Sequence, residues 1–444
     1  MTAIARLAGF AALAQPGTDL AEVIAPAVAD CFGCILAGAD SEVARQVVTA
    51  LQPFGAGPVA LYGRTETLSA PYAALVNAVA GHAWDLDDWE EPGNTHPTVV
   101  LLPALLAAAH IRPASGADLL AAYAVGTEII MRLGEALTLD HYARGFHSTA
   151  TLGTIGAAGA VSRLLQLSRA QTAHALALSV SQATGYTLQF GSNAKPLQAG
   201  WAARNGLEAA LLAAQDVTGQ VDVLDHDRGF SGLMGCHDAD RFARALSRLG
   251  TPWAVQEYGL ILKPWPSCGY THRLMTAALT LRSQVAHRLD DITALHACLP
   301  DFHAEILPFH VPDTRNEALF SAPACIAQML VTGNLTLADS AQGFWTNPTV
   351  DRLIRLTSIT PEDARNTDLN YDPDQPDVLR ISLGEEVLET ACPYPLGAPQ
   401  NPMSTAQLAA KFAALTRQPP DSFQDLLDWP NAPDIAAFFQ RRTP

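Results

Sequence analysis

Aspartate, histidine and lysine are the side chains of this chain whose types and spacing could move a proton. Their densest grouping is the run from His82 to Thr98, HAWDLDDWEEPGNTHPT. Asp85, Asp87 and Asp88 lie too close together for a solvated helix face, where like charges repel. Asp85 and Asp88 are spaced to share one helix face, so one or both can be buried and structural. Pro92, Gly93 and Pro97 break any helix after Asp88. The pattern predicts a helix that ends at clustered carboxylates, then a loop that presents His96. Carboxylates beside a histidine suit proton transfer, because each shifts the other's pKa. The plainer alternative is a set of acids that only cap or solvate a helix end.

Lysine is scarce. Of 27 basic residues only Lys195, Lys263 and Lys411 are lysines. In an arginine-rich chain a retained lysine is a candidate for work that needs a compact ammonium able to lose its water. Lys195 lies in FGSNAKPLQAGWAARNG, where Gly191, Ser192, Asn193 and Pro196 mark a loop before a helix that carries Arg204. Lys263, Trp265, His272 and Arg273 share the segment KPWPSCGYTHRL. His147 opens a Gly/Ala-rich helix in RGFHSTATLGTIG, with Ser148 or Thr149 able to cap it, and helix N-terminal amides favour an anion. Packed loop histidines and chance-retained lysines are the alternatives. Neither a phosphate-binding G-x-x-x-x-G-K-[ST], nor G-x-S-x-G, nor H-E-x-x-H occurs, so nucleotide binding, a hydrolase triad and a helical zinc pair are not indicated.

The elements that must hold these residues follow from hydrophobic period. The 444 residues, 49% of them hydrophobic and 16% charged, can bury a core of two or three domains. A net charge of −17 argues against nucleic acid and anionic membrane as partners. Seven scattered cysteines fit free thiols in a reducing, cytoplasmic setting. Cys31 and Cys34 form a C-x-x-C inside what reads as a buried helix, so no metal or redox role is expected of them. The N-terminal MTAIARLAGFAALAQPG reads as an amphipathic helix, and no uncharged apolar run has the length of a membrane span.

Apolar residues recur at helical spacing over 103–111, 117–137, 151–165 and 202–217. After about residue 285 the pattern changes. Leu379, Ile381 and Leu383 alternate with polar residues, and Gly384-Glu385-Glu386 turns into EVLETACPY, a hairpin. Segments 292–300 and 352–362 read as further strands, 317–333 as a helix between them, and 404–415 as a return to helix. The fold class is therefore mainly α with an α+β part. Residues 1–264 and 393–444 form an all-helical domain, and 265–392 form a smaller α+β domain.

Taken in order, HAWDLDDWEEPGNTHPTVVLLPALLAAA, RGFHSTATLGTIGAAGA, AKPLQAGWAARNGLEAALLAAQ, VLDHDRGF, LKPWPSCGYTHRLMTAAL, PDTRNEALFS and NPMSTAQLAAKF resemble the MmgE/PrpD family. That family includes 2-methylcitrate dehydratase, cis-aconitate decarboxylase and iminodisuccinate epimerase. The resemblance implies a helical domain built from both chain ends, an α+β lid, a homodimer, and a site with no metal and no cofactor. It places Asp85, His96, His147, Lys195 and His272 on the family's active-site positions, the same five residues that the chemistry singles out. Trp89, Gln198, Arg204, Lys263 and Arg273 are candidate substrate-binding residues. Four departures stand out. Trp89 replaces a small Thr or Ser common in the family, Ala324 a frequent tyrosine, Gln198 a histidine, and Leu319 a lysine.

The chemistry shared by such enzymes begins with removal of a proton next to a carboxylate or imine. A neutral histidine can take it, Lys195 can neutralise a carboxylate, and Asp85 can orient a histidine. Loss of hydroxide then gives a dehydratase, loss of CO₂ a decarboxylase, and reprotonation on the other face an epimerase. The sequence favours a hydro-lyase acting on a small hydroxy di- or tricarboxylate. An epimerase, a decarboxylase and a non-catalytic binding protein are the alternatives. The lost tyrosine and lysine argue against carrying over cis-aconitate as substrate.

Overall fold

The computed structural model describes residues 1–366 and 368–443. Thr367 and Pro444, inside the ranges expected for the two domains, lie outside the described residues. The chain is 57% helix and 8% strand, so the mainly-α class with a small α+β part holds. It divides into two compact units, Met1–Ala83 with Asp87–Ile261 and Ser404–Pro444, and Leu262–Met403 with the short segment Trp84–Leu86.

The helical unit is built around α1 (Ala21–Gly38), α2 (Ala70–His82), α3 (Pro97–Ala109), α4 (Gly116–Ala143), α5 (Ser148–Leu164) and α6 (Ala194–Ala214). α5 packs against α3, α4 and α6, and α2 against α6. The glycines of α5 explain the closeness. A Cβ on Gly156 would lie 2.3 Å from Ile130, and one on Gly159 2.3 Å from Ile129. Gly is poor in an exposed helix, and here it is retained because a neighbouring helix occupies the space. Both chain ends meet in this unit. Lys411, near the C-terminus, donates to Asp30 of α1 at 2.7 Å, and both are buried. The segment Thr18–Gly38 is long and apolar enough to cross a membrane by length and composition, but 67% of its most apolar window is buried among the other helices.

The α+β unit carries α7 (His272–Val285), α8 (Ala322–Thr332) and a four-stranded sheet. Its strands are β1 (Ala294–Pro300), β2 (Thr357–Glu362), β3 (Asp377–Leu383) and β4 (Glu386–Cys392), in the order β2-β1-β3-β4. β1 and β2 are parallel, and the remaining pairs are antiparallel. The β3–β4 hairpin forms as the alternation requires, with Leu383 opposite Glu386 and Gly384 at φ +66° in the turn.

Several local expectations need correction. The run 352–362 is strand only from Thr357. Before it, Pro348–Leu356 is helical, because Asn347 caps the first turn and Val350, Leu353 and Ile354 bury one helical face. The helical run 317–333 breaks at 319–321, where Ser321 caps a new helix that ends on left-handed Gly333. Asp85 and Asp88 share no helix face, since α2 stops at His82 and Asp85 takes φ +50°.

Candidate active site

The end of α2 and the start of α3 bring three ionisable groups together. His82 closes α2. His96 stands at the N-cap of α3, set there by Pro97 in the first turn. Asp87 lies between them. His82 Nδ1 is 2.8 and 2.9 Å from the two Asp87 oxygens, and His96 Nδ1 is 3.1 Å from Oδ2. His96 Nδ1 also lies 2.9 Å from the carbonyl of Asp88, and its backbone N–H donates to Thr149 Oγ1. The imidazole centroids of His82 and His96 are 4.5 Å apart. Burial alone would raise the Asp87 carboxyl, yet the two histidines hold it well below the usual carboxylate range. Asp88 goes the other way. Burial pushes it up, and Thr98 Oγ1 donates to its Oδ2 at 2.6 Å.

The loop between Asp88 and His96 is held from inside. Glu90 is fully buried and accepts from the N–H groups of Gly93 and Thr95 and from Thr95 Oγ1. Burial still raises it to about 7. Trp89 is buried too and pairs its backbone with Ile261.

The third imidazole is His147, itself the N-cap of α5. Ser148 and Thr149 are the first two helical residues, not the cap. Its N–H donates to Gly185 O, and its Nδ1 is 2.6 Å from Gln198 Oε1. Gln198 Nε2 donates to Tyr186 O at 3.2 Å. The amide nitrogen therefore faces a carbonyl and the amide oxygen faces the imidazole, so His147 carries its proton on Nδ1. Burial, then Lys195, His82 and His96, hold His147 well below the ordinary histidine value. The His82 and His147 rings stack with centroids 6.3 Å apart.

Lys195 is not on a loop. α6 begins at Ala194, which puts Lys195 in its first turn, with Pro196 tolerated there because first-turn amides have no helical partner. The residue is 6% exposed and its ammonium lies 5.3 Å from the Phe190 ring centroid. Phe190 also meets the His147 ring edge-on at 5.0 Å. Arg204, on the same helix, bonds Asn205 Oδ1 through Nε and Nη2 and pairs with Glu208.

The α+β unit gathers the remaining candidates. Lys263 donates to Asp85 Oδ1 at 2.7 Å, to the Asp85 carbonyl at 3.1 Å and to Ser267 O at 3.2 Å. Three donors and three acceptors make Lys263 a clamp on the left-handed Asp85 backbone. The ring of His272, first residue of α7, has Nε2 3.2 Å from Ser267 Oγ and lies against Trp265. Arg273 is fully buried. Its guanidinium bonds Gln375 O, Asp372 O and Asp377, and covers the Tyr371 ring. Ala324 is fully buried, its N–H bonded to the cap Ser321, and Leu319 is buried as well.

Sequence reasoning missed His82 as a site residue and favoured Asp85 over Asp87 as the orienter of a histidine. Within the helical unit the carboxylate that meets histidines is Asp87. The signal was present, because a histidine ending one helix and another opening the next converge when a tight acidic turn joins them. His82, Asp87 and His96 also belong to a group whose candidate metal-ligand atoms lie within 4.8 Å of one another. Their separations of 2.8–3.1 Å are those of hydrogen bonds.

Two family models cover nearly the whole chain, the MmgE/PrpD N-terminal domain over residues 2–242 and the MmgE/PrpD C-terminal domain over 265–424. The chain belongs to the MmgE/PrpD family. Among curated members, cis-aconitate decarboxylase of Homo sapiens is 33% identical over 303 residues, 66% of this chain and 62% of that protein. The Mus musculus enzyme of the same name is 28% identical, over 78% of this chain and 72% of its own length. That of Aspergillus terreus is 27% identical over 90% of this chain and 85% of its own. The match to the human MmgE/PrpD protein thus spans less than two thirds of its length.

Proposed function

We propose that this MmgE/PrpD protein is a cofactor-independent lyase acting on a small di- or tricarboxylate, with His96, His147 and Lys195 at its chemical centre. The observation that carries the reading is that two imidazoles with different partners, His96 and His147, and the buried Lys195 act on one another. His96 leans on the anion Asp87, and His147 on the neutral amide of Gln198. Two titratable groups whose surroundings pull them apart are suited to acid and base roles.

Decarboxylation comes first among the possible outcomes, because the relatives quoted above carry that name. The bond from carbon to a carboxylate breaks, CO₂ leaves, and the electron pair stays on carbon until an imidazolium protonates it. Lys195 would hold a second carboxylate and spread the developing charge. Dehydration uses the same parts. A neutral imidazole takes the proton next to the carboxylate, and hydroxide leaves with a proton from the other imidazole. Epimerisation, weighed from sequence, has no support among the relatives. Asp85, held by Lys263, and His272 are proposed as further site residues on the strength of the family positions they occupy. Trp89 and Ala324, where other members carry a small hydroxyl residue and a tyrosine, make cis-aconitate a weaker candidate within the substrate class. The seven buried free thiols support a reducing compartment, and a homodimer is proposed from the family resemblance.

NMR in D₂O with cis-aconitate, citrate-like and malate-like acids tests the reading. Deuterium entry next to a carboxylate, CO₂ release or water loss is expected with at least one. Binding of several acids with no exchange and no bond cleavage would identify a non-catalytic binding protein instead.

A further inference from the structure

We infer that Asp87 is the positioning carboxylate of this site, holding His82 and His96 as an imidazole–carboxylate–imidazole triad in which His96 is the imidazole presented for proton transfer. The inference rests on the proposed proton-transfer chemistry for its kinetic part only. Nothing in the family comparison assigns a role to Asp87 or His82.

Hydrogen-bond capacity places the protons. An ionised carboxylate only accepts, so each ring nitrogen bonded to it must carry a proton. His82 Nδ1 and His96 Nδ1 both meet Asp87, at 2.8–2.9 and 3.1 Å. Both imidazoles are thereby fixed as Nδ1–H tautomers, and the Asp88 carbonyl, 2.9 Å from His96 Nδ1, demands the same proton. The two side chains then differ in one respect. His82 is fully enclosed, whereas 12% of the His96 side chain is exposed. His96 is therefore the member whose far nitrogen can meet a substrate, and His82 is the inner member that shares the anion. When His96 gains a proton, Asp87 sits beside the new imidazolium at hydrogen-bond distance. Asp30, Lys411 and Asp88 also act on Asp87, and His147, which Lys195 acts on in turn, stacks on the His82 ring with centroids 6.3 Å apart.

Asp87→Asn removes the charge and leaves one acceptor oxygen where two N–H donors meet the carboxylate, so His96 Nδ1–H keeps only the Asp88 carbonyl. The folded variant should lose about a hundredfold or more in kcat with KM changed by less than about threefold. The limb of the pH profile governed by His96 should move to lower pH, since an anion that favoured imidazolium is gone. A folded variant with unchanged kcat overturns the inference, and so does a kcat loss with an unmoved pH limb, which marks a purely structural residue. If the variant does not fold, ¹⁵N NMR of histidine-labelled wild-type protein decides, with His82→Gln and His96→Gln used for assignment. Two protonated Nδ1 atoms are expected, and Nε2–H tautomers at both would overturn the triad. This readout needs no turnover, so a failed search for substrate and a failed triad remain distinguishable.

Discussion

Gln198 is bonded at both ends of its amide, its oxygen 2.6 Å from His147 Nδ1 and its nitrogen donating to the carbonyl of Tyr186. The carbonyl can only accept, and that fact fixes the amide orientation and with it the tautomer of His147. A histidine, which the resemblance leads one to expect at position 198, could present either a proton or a lone pair to His147. Glutamine here presents a neutral oxygen, and burial, with Lys195 next, holds His147 well below the ordinary histidine value.

Gln198→Glu places an anion where the neutral oxygen was. The imidazolium form of His147 is then favoured, and its pKa rises from its depressed position. If catalysis needs His147 neutral, kcat/KM at pH 6 should fall several-fold relative to pH 8, while the wild type changes less. A profile superimposable on the wild type would show that the charge state of His147 does not matter to turnover.

The clamp between Lys263 and Asp85 is a buried ion pair, with side chains 1% and 6% exposed. Lys263→Met leaves a buried carboxylate without its cation, and destabilisation of about 3–5 kcal/mol is expected. Adding Asp85→Asn removes the uncompensated charge and keeps a residue type that tolerates positive φ, so part of the loss should return. Urea unfolding of the three proteins measures both effects, and strict additivity would contradict the pairing.

His141 is buried, bonded through Nε2 to Thr151 Oγ1, and held by burial at about 4 instead of 6.5. The unfolded chain binds a proton there that the folded chain refuses. The resulting stability is complete above pH 6.5 and is lost as pH falls toward 4, by roughly 3 kcal/mol in total. Glu90, raised to about 7, acts with the opposite sign, because it loses stability as pH rises. Comparison by variant isolates His141. The drop in unfolding free energy between pH 7 and pH 4.5 should be smaller in His141→Gln than in the wild type.

Metal independence is open to direct test at the one His/Asp cluster among the described residues with ligand-like spacing. Dialysis against a strong chelator should leave kcat unchanged, and elemental analysis should find far less than one divalent ion per chain. Loss of activity that zinc or another divalent ion restores would recast His82, Asp87 and His96 as ligands.

The sequence alone determined the helical body, the hairpin at 377–392 and the chemistry-bearing residue types, because hydrophobic period and turn residues act locally. It also pointed to the lysines as desolvated groups. All three are buried, Lys411 against Asp30, Lys263 against Asp85 and Lys195 beside Phe190. What it could not determine was partnership. Asp85, Asp87 and Asp88 differ by one or two positions in sequence, yet one meets a lysine, one meets two histidines and one meets a threonine. Asp85, three residues beyond the end of α2, takes a left-handed conformation, and no local pattern encodes which far segment each carboxylate meets. The same holds for Gln198. Its meeting with His147 depends on two helix starts 51 residues apart coming within hydrogen-bond reach, which the packing of Gly-rich α5 against α6 decides.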